Sequence, residues 1–414
     1  MNLSSPISSP IRAMTERNTP LICFSHLRWD FVLQRPQHLM GRFANDRAVF
    51  FFEEFIPTDH HLAYLEIHPF EGTTVKSVRP RIPHWWSEAD RERALSGLLD
   101  DLLAMYGAAR PILWFYTPTM FGFARHVDAS AVIYDCMDEL ANFKFAPHGM
   151  KEMEAALIAR ADVVFTGGYS LYEAKRNQHD NIHPFPSGVE VAHFHSARKD
   201  RQEPADQLSI PGPKVGYYGV IDERLDLELI EALAKARPQL SFVIIGPVAK
   251  IAPEDLPRAG NIHYLGQKDY RELPAYLAGW DAALMPFALN SSTQFISPTK
   301  TPEYLAAGRP VVSTPITDVI RHYSSVDGVF IAADADAFAK ACDAAIALKT
   351  AGIDWLGPVD TMLEGSSWDR TFHDMRALVD KTVQSHSYTA VPAAPRISSH
   401  PSAVSRTGAM ALNR

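Results

Sequence analysis

The sequence predicts an α/β protein of two doubly wound, Rossmann-like domains facing each other across a cleft. Three observations carry this. Short apolar runs recur without alternation, as in strands covered on both faces of a sheet. Amphipathic stretches separate them, as in βαβ units around a largely parallel sheet. The pattern occurs twice, and between the two sets lies ARKDRQEPADQLSIPGP (196–212), which is charged, proline-rich and without a clear period. A chain of 414 residues also exceeds what one core organises comfortably.

Taken in order, residues 1–18 are rich in Ser and Pro and read as a flexible tail. They lack the apolar core of a secretory signal, so the cytosol is the expected compartment. The first domain is expected over 19–200. Its strands are LICFSH (21–26), AVFFFE (48–53), PILWFY (111–116), AVIYDC (131–136) and DVVFTG (162–167), with helices at 34–44, 88–107 and 151–161. The second is expected over 201–365. Its strands are KVGYYGV (214–220), SFVIIGP (241–247), NIHYLG (261–266), DAALMPF (281–287), RPVVST (309–314) and GVFIAA (328–333), with helices near 225–236, 270–279, 303–308 and 336–348. SSWDRTFHDMRALVDKTVQ (366–384) is then a helix whose Trp368, Phe372, Met375 and Leu378 or Val379 need a partner surface, with Ser366 or Ser367 as its cap. Residues 385–414 contain no acid and read as a disordered tail.

Composition narrows the function. An apolar fraction of 46% excludes wholesale disorder. Forty basic against 48 acidic residues give a net charge of −8, which argues against a general nucleic-acid binder. No run reaches the roughly 18 apolar residues of a membrane span. Cys23, Cys136 and Cys342 stand far apart in apolar segments, which excludes a disulfide framework and a CxxC zinc site. The adjacent His60 and His61 lack the i, i+4 spacing of a helical metal pair.

In open α/β sheets ligands bind beyond the carboxyl ends of the strands. NSSTQFISPTKTPEYLAAGRPVVSTP (290–315) occupies such a place, polar at first and then opening a short helix. Pro302 is tolerated only in a first helical turn, so the helix should begin between Thr299 and Pro302. Free N–H groups there suit an anion. Lys300 and Glu303 would share a face. A lysine over a diphosphate and a carboxylate on a ribose diol make a nucleotide-sugar site; a surface ion pair is the alternative.

SPTKTPEYLAAGRPVVSTP resembles the donor-binding segment of retaining GT-B-fold glycosyltransferases of the group-1, family-4-like kind, of the bacterial cell-surface polysaccharide type. LICFSHLRWDFVLQRPQHLMGRFA (21–44), FPSGVEVAHF (185–194), KVGYYGVIDERLDLELI (214–230) and WDAALMPF follow in the order of that family, so the resemblance covers about 20–384. It implies a GT-B architecture whose final helix crosses back to the first domain. It implies a metal-independent hexosyltransferase, needing no cofactor, that moves a sugar from a nucleotide-diphosphate donor, a UDP-sugar by preference, to a saccharide or lipid-linked acceptor. Glu303 matches the glutamate that holds the donor ribose. Lys300, with the amides near Ser297, Thr299 and Thr301, would hold the diphosphate. The YLGQK segment with Gly266 and Gln267 matches the place where the base lodges, and Gly219 lies in the loop after the first strand. The sequence departs from the family twice. Phe295 stands where an earlier glutamate is common, so sugar hydroxyls would be read from Asn290, Ser291, Ser292, Thr293 or Gln294. Only Arg224 supplies the cation after Gly219.

The acceptor side falls to the first domain. Asp135, Asp138 and Glu139 of YDCMDELANF could orient or deprotonate an acceptor hydroxyl, or serve as solvated caps. His26 is either an acceptor-site residue or a core-edge hydrogen bonder. Trp29 offers a face to a sugar ring, Arg35 and His38 face an acceptor phosphate or solvent, and Tyr116 is a further acceptor-binding candidate. RPRIPHWWSEADRERA (79–94) reads as a core-covering loop, with a peripheral membrane contact as the alternative. The DAD at 334–336 sits at a helix start, where capping explains it without a metal. Two rival functions are an epimerase or hydrolase of nucleotide sugars and a non-catalytic sugar-binding scaffold.

Overall fold

The computed structural model describes residues 19–199, 202–348 and 351–389. The first sheet is built from β1 (Leu21–Ser25), β2 (Val49–Glu53), β3 (Ile56–Thr58), β4 (Tyr64–Pro69), β5 (Lys76–Pro83), β6 (Ile112–Phe115), β7 (Ala131–Cys136), β8 (Val163–Thr166) and β9 (Ile182–Pro184). Their order is β3-β5-β2-β1-β6-β7-β8-β9, all parallel, with β4 antiparallel to β5. LICFS, VFFFE, ILWF, AVIYDC and VVFT are buried at every position, which explains their unalternating sequences. Register places Leu21 opposite Val49 on one side and Ile112 on the other.

The second sheet is wholly parallel, β12-β11-β10-β13-β14-β15. Its strands are β10 (Lys214–Tyr218), β11 (Ser241–Ile245), β12 (Ile262–Gly266), β13 (Ala282–Met285), β14 (Val311–Ser313) and β15 (Val329–Ile331). The switch point between β10 and β13 sets their carboxyl ends toward the first domain, where a doubly wound sheet receives its ligand.

The segment 196–212 is not a free linker. Val191–Lys199 and Ala205–Leu208 are helical, and Val189, Phe194, Ala197 and Ile210 join the second core. The chain therefore passes between domains near 185–189 and returns near 364–368. The two passages touch: Val189 donates to the Ser366 carbonyl at 2.8 Å. RPRIP is the carboxyl-terminal part of β5 rather than a loop, while Trp85 beyond it stays half-exposed.

The final helix, Trp368–Thr389, turns Trp368, Phe372, Met375, Val379 and Val383 onto Leu21, Leu39, Phe43 and Trp114 of the first domain. The Ser367 hydroxyl caps it by accepting from the Arg370 amide at 3.2 Å. Each large apolar side chain so buried contributes roughly 1.5–3 kcal/mol. The helix runs through Thr389, so residues 385–389 of the expected tail are helical, and the His386 ring meets the Ser130 carbonyl at 3.0 Å. The remaining tail residues, 1–18 and 390–414, lie outside the described residues. Among the described residues no helix is long and apolar enough to cross a membrane.

Candidate active site

A cleft of about 1390 Å³ separates the two sheets, with donor-side candidates on one wall and acceptor-side candidates on the other. On the donor wall the helix Lys300–Ala306 starts one residue after Thr299. Glu303 faces the cleft and is only 6% exposed. The Tyr218 hydroxyl donates to its carboxylate at 2.5 Å. Burial pushes the Glu303 carboxyl up to about 7, with Lys300 opposing the rise. Burial likewise lowers the Lys300 ammonium, against the pull of Glu303. The Lys300 side chain crosses directly over Gly219, which has φ +144°; a β-carbon there would collide with it. Gly219 in turn lies so close to Gly246 that a side chain at 246 would strike the Gly219 carbonyl. Both glycines are therefore required by close approach.

Arg224 lines the cleft but is already paired: its Nη2 meets Asp222 at 2.7 Å and its Nε at 2.9 Å. Ser297, Thr299 and Gln267 line the cleft too, and the Gln267 amide reaches across to the Phe31 carbonyl at 2.8 Å. The Thr301 side chain is wholly buried behind the helix and is not part of the wall. Gly266 and Gln294 are exposed outside the cleft, which corrects both as donor contacts. Residues 290–293 are tied by local hydrogen bonds and by a contact with Asn142 of the other lobe. The Asn290 side-chain oxygen accepts from the Ser292 hydroxyl at 2.7 Å and amide at 2.9 Å. Phe295 packs against the first-domain core, so the position of the expected earlier glutamate serves interdomain contact.

Among the acceptor-side candidates, Asp138, Trp29 and Arg35 line the cleft. Burial raises the Asp138 carboxyl to about 6, and Arg224 across the gap opposes the shift. Trp29 rests edge-on against Phe51 at 5.1 Å. Asp135 is corrected as a catalytic candidate. Strand alternation turns it away from Tyr134 and Cys136, beneath the helix Arg35–Phe43. It is fully buried and holds Arg35 at 2.9–3.1 Å. The same guanidinium donates to the Phe185 carbonyl at 2.7 Å, so Arg35 is spent on structure rather than on an acceptor phosphate. Tyr116 is buried beside Asp135 and does not reach the cleft. His26 does not line it either; burial, with Lys250 nearby, lowers its ring to about 4.

Sequence reasoning missed Tyr218, Asp222, Lys250 and Phe143. Lys250, in the loop after β11 with φ 62°, sets its ammonium over the Phe143 ring at 4.8 Å, and Arg224 meets the same ring at 5.9 Å. The Asn142 amide donates to the Ser291 carbonyl at 3.0 Å. Position after a strand was the only signal available for these residues. Which lobe each would meet depends on the domain arrangement. No group of three His, Cys, Asp or Glu side chains among the described residues is placed to hold a metal ion.

The wall thus offers cations, a buried carboxyl and free amides on one lobe, and an acid and an aromatic face on the other. That set can hold a pyrophosphoryl ribose and orient a hydroxyl toward it. Residues 212–347 match the family model described as Glycosyl transferases group 1. A putative teichuronic acid biosynthesis glycosyltransferase of Bacillus subtilis is 26% identical over 305 residues, covering 70% of this chain and 72% of that one. Sucrose-phosphate synthase of Thermosynechococcus elongatus superposes with a TM-score of 0.66 at 15% identity, over 89% of this chain and all of that one. Anabaena HepE, in complex with UDP and glucose, gives 0.63 at 12% identity, over 87% and 99%. The second domain thus matches the group 1 glycosyltransferase model in sequence, and both domains share the GT-B fold of these solved structures.

Proposed function

We propose that this glycosyltransferase moves a hexose, with retention, from a nucleotide-diphosphate donor to a saccharide or lipid-linked acceptor in cell-surface polysaccharide assembly. The observation that carries the donor assignment is the placement of Lys300 and Glu303 on one short helix, both on the cleft wall at the carboxyl ends of the second sheet. Glu303 takes the ribose hydroxyls. Lys300, the amides of Ser297 and Thr299, and Arg224 meet the diphosphate and the charge that grows on it as the glycosidic bond breaks. Asp138 accepts from the acceptor hydroxyl. Closure excludes water that would otherwise hydrolyse the donor. The polysaccharide context rests on the Bacillus relative, and preference for a UDP-sugar on the UDP bound to HepE. The protein would act in the cytosol or at the inner face of a membrane, and without a bound metal ion.

Titration calorimetry with UDP, GDP and ADP tests the site. One of them should bind, and Glu303→Ala should weaken it by about 1.5–3 kcal/mol, roughly 10–150-fold. Equal affinity in the two proteins would overturn the assignment. Product analysis without acceptor separates the epimerase or hydrolase reading, which requires an epimer or rapid release of free sugar.

A further inference from the structure

Asp138 is carried into the cleft by a loop whose base is gripped from inside the first domain. Lys175, only 3% exposed, ends the helix Tyr169–Lys175. Its ammonium donates to Glu154 at 2.7 Å and to Glu139, the neighbour of Asp138, at 2.8 Å. The Cys136 thiol is a second hold: its single S–H can donate either to Glu154 at 3.6 Å or to the Asp138 carbonyl at 3.5 Å. The opposite end of the same helix is held from the other lobe. The Asp318 carboxylate, 1% exposed, accepts from the Tyr169 amide at 3.0 Å and the Ser170 amide at 2.9 Å. These are first-turn amides that have no partner within the helix. Gly168, just before them, lies against Ser297 of the donor loop.

We propose that Lys175 is a positioning residue for Asp138, and that the helix Tyr169–Lys175 is a strut through which Asp318 sets that carboxyl when the lobes close. The helix is about 10 Å long at 1.5 Å per residue, too short to bend, so a shift at its capped end moves Lys175. Parting the lobes withdraws Asp318 and frees the first turn. Lys175 then loses its fixed height between two glutamates, and the Asp138 loop loses its anchor. The proposal rests on the reading of Asp138 as the acceptor-side acid.

The test measures amide exchange and nucleotide release in Lys175→Met, Lys175→Arg, Glu139→Gln, Asp318→Ala and the double variant Asp318→Ala/Lys175→Met. Glu139→Gln keeps the fold in hand should Lys175→Met unfold it. Release is followed with whichever of UDP-glucose, GDP-mannose and ADP-glucose the wild type cleaves. Lys175→Met and Glu139→Gln should speed exchange over 137–143 about tenfold. Asp318→Ala should do the same there, although it touches only 169 and 170. The double variant should go no further than the larger single one, and Lys175→Arg should stay near wild type. Release should fall about tenfold in kcat with KM for the donor within twofold. Exchange loosened only over 168–171 in Asp318→Ala, or additive effects, would overturn the strut. Release unchanged in every variant, although exchange over 137–143 rises, would instead sink the role of Asp138, while the exchange pattern still decides the strut.

Discussion

In the proposed ribose-binding role Glu303 accepts most strongly as a carboxylate, yet it sits where burial favours its neutral form. Its folded value of about 7, against 4.5 for a free side chain, means that ionisation costs the folded protein on the order of 3 kcal/mol. Because the folded value is the higher one, the stability it confers is complete below pH 4.5 and is lost as pH rises through 7. Glu303→Gln should therefore raise the melting temperature at pH 8 and leave it nearly unchanged at pH 4.5. Nucleotide affinity should run the other way in the wild type, weakening several-fold from pH 8 to pH 6, and Glu303→Gln should flatten that slope. A wild-type slope equal to that of the variant in calorimetry would show that Glu303 does not bind as a carboxylate. Lys300 and Glu303 were legible in sequence because three-residue spacing puts both on one face whatever the rest of the fold does. Tyr218 was not, because its hydroxyl meets Glu303 only through the packing of β10 against that helix.

Alternation within β7 turns Asp135 into the core, and Asp138, beyond the strand end, is left for the chemistry proposed for it. Asp135 ends beneath the helix Arg35–Phe43, whereas Asp138 passes beyond the strand end into the cleft. Asp135→Ala should strand the Arg35 charge in the core and cost about 3–5 kcal/mol, read as a fall in denaturant midpoint. Asp138→Asn should leave the midpoint unchanged or raise it at pH 8, since ionised Asp138 is itself disfavoured by burial, while cutting turnover. If Asp135→Ala kept full stability and lost turnover, the two roles would be reversed. The final helix makes a parallel case: Trp368, 1% exposed and stacked on His38 at 4.5 Å, should cost about 3–5 kcal/mol as Trp368→Ala, by the same measurement. Its apolar spacing was readable in the sequence, and so were the strands buried on both faces. The run 56–83 was not, because β3, β4 and β5 contain Pro57, Pro69, Pro80 and Pro83 and form the margin of the sheet, where burial is partial.

Two chain passages join the lobes, and they touch each other at 188–189 and 366–368. Gly188 lies against the Ser367–Trp368 backbone so closely that a β-carbon would stand 2.6 Å from the Trp368 amide nitrogen and 2.8 Å from its Cα. Neither neighbour is a side chain that can turn aside. A methyl group there must push the passages apart and break the bond from Val189 to Ser366. Val189 and Trp368 belong one to each core, so Gly188→Ala should cost some stability in each while chiefly loosening their mutual hold. The interlobe contacts made by Asp318, Gln267 and Asn142 would then form less often. Closure completes the site only when donor and acceptor walls meet. The variant should therefore keep its affinity for a nucleoside diphosphate, which in the proposed function touches only the second domain, and lose turnover by about tenfold or more. Small-angle scattering should show a larger radius of gyration with unchanged helix content by circular dichroism. Unchanged dimensions together with unchanged turnover would mean that the crossing point is not where closure is set. Nothing in the sequence marks this glycine, because what it touches lies 180 residues further along the chain.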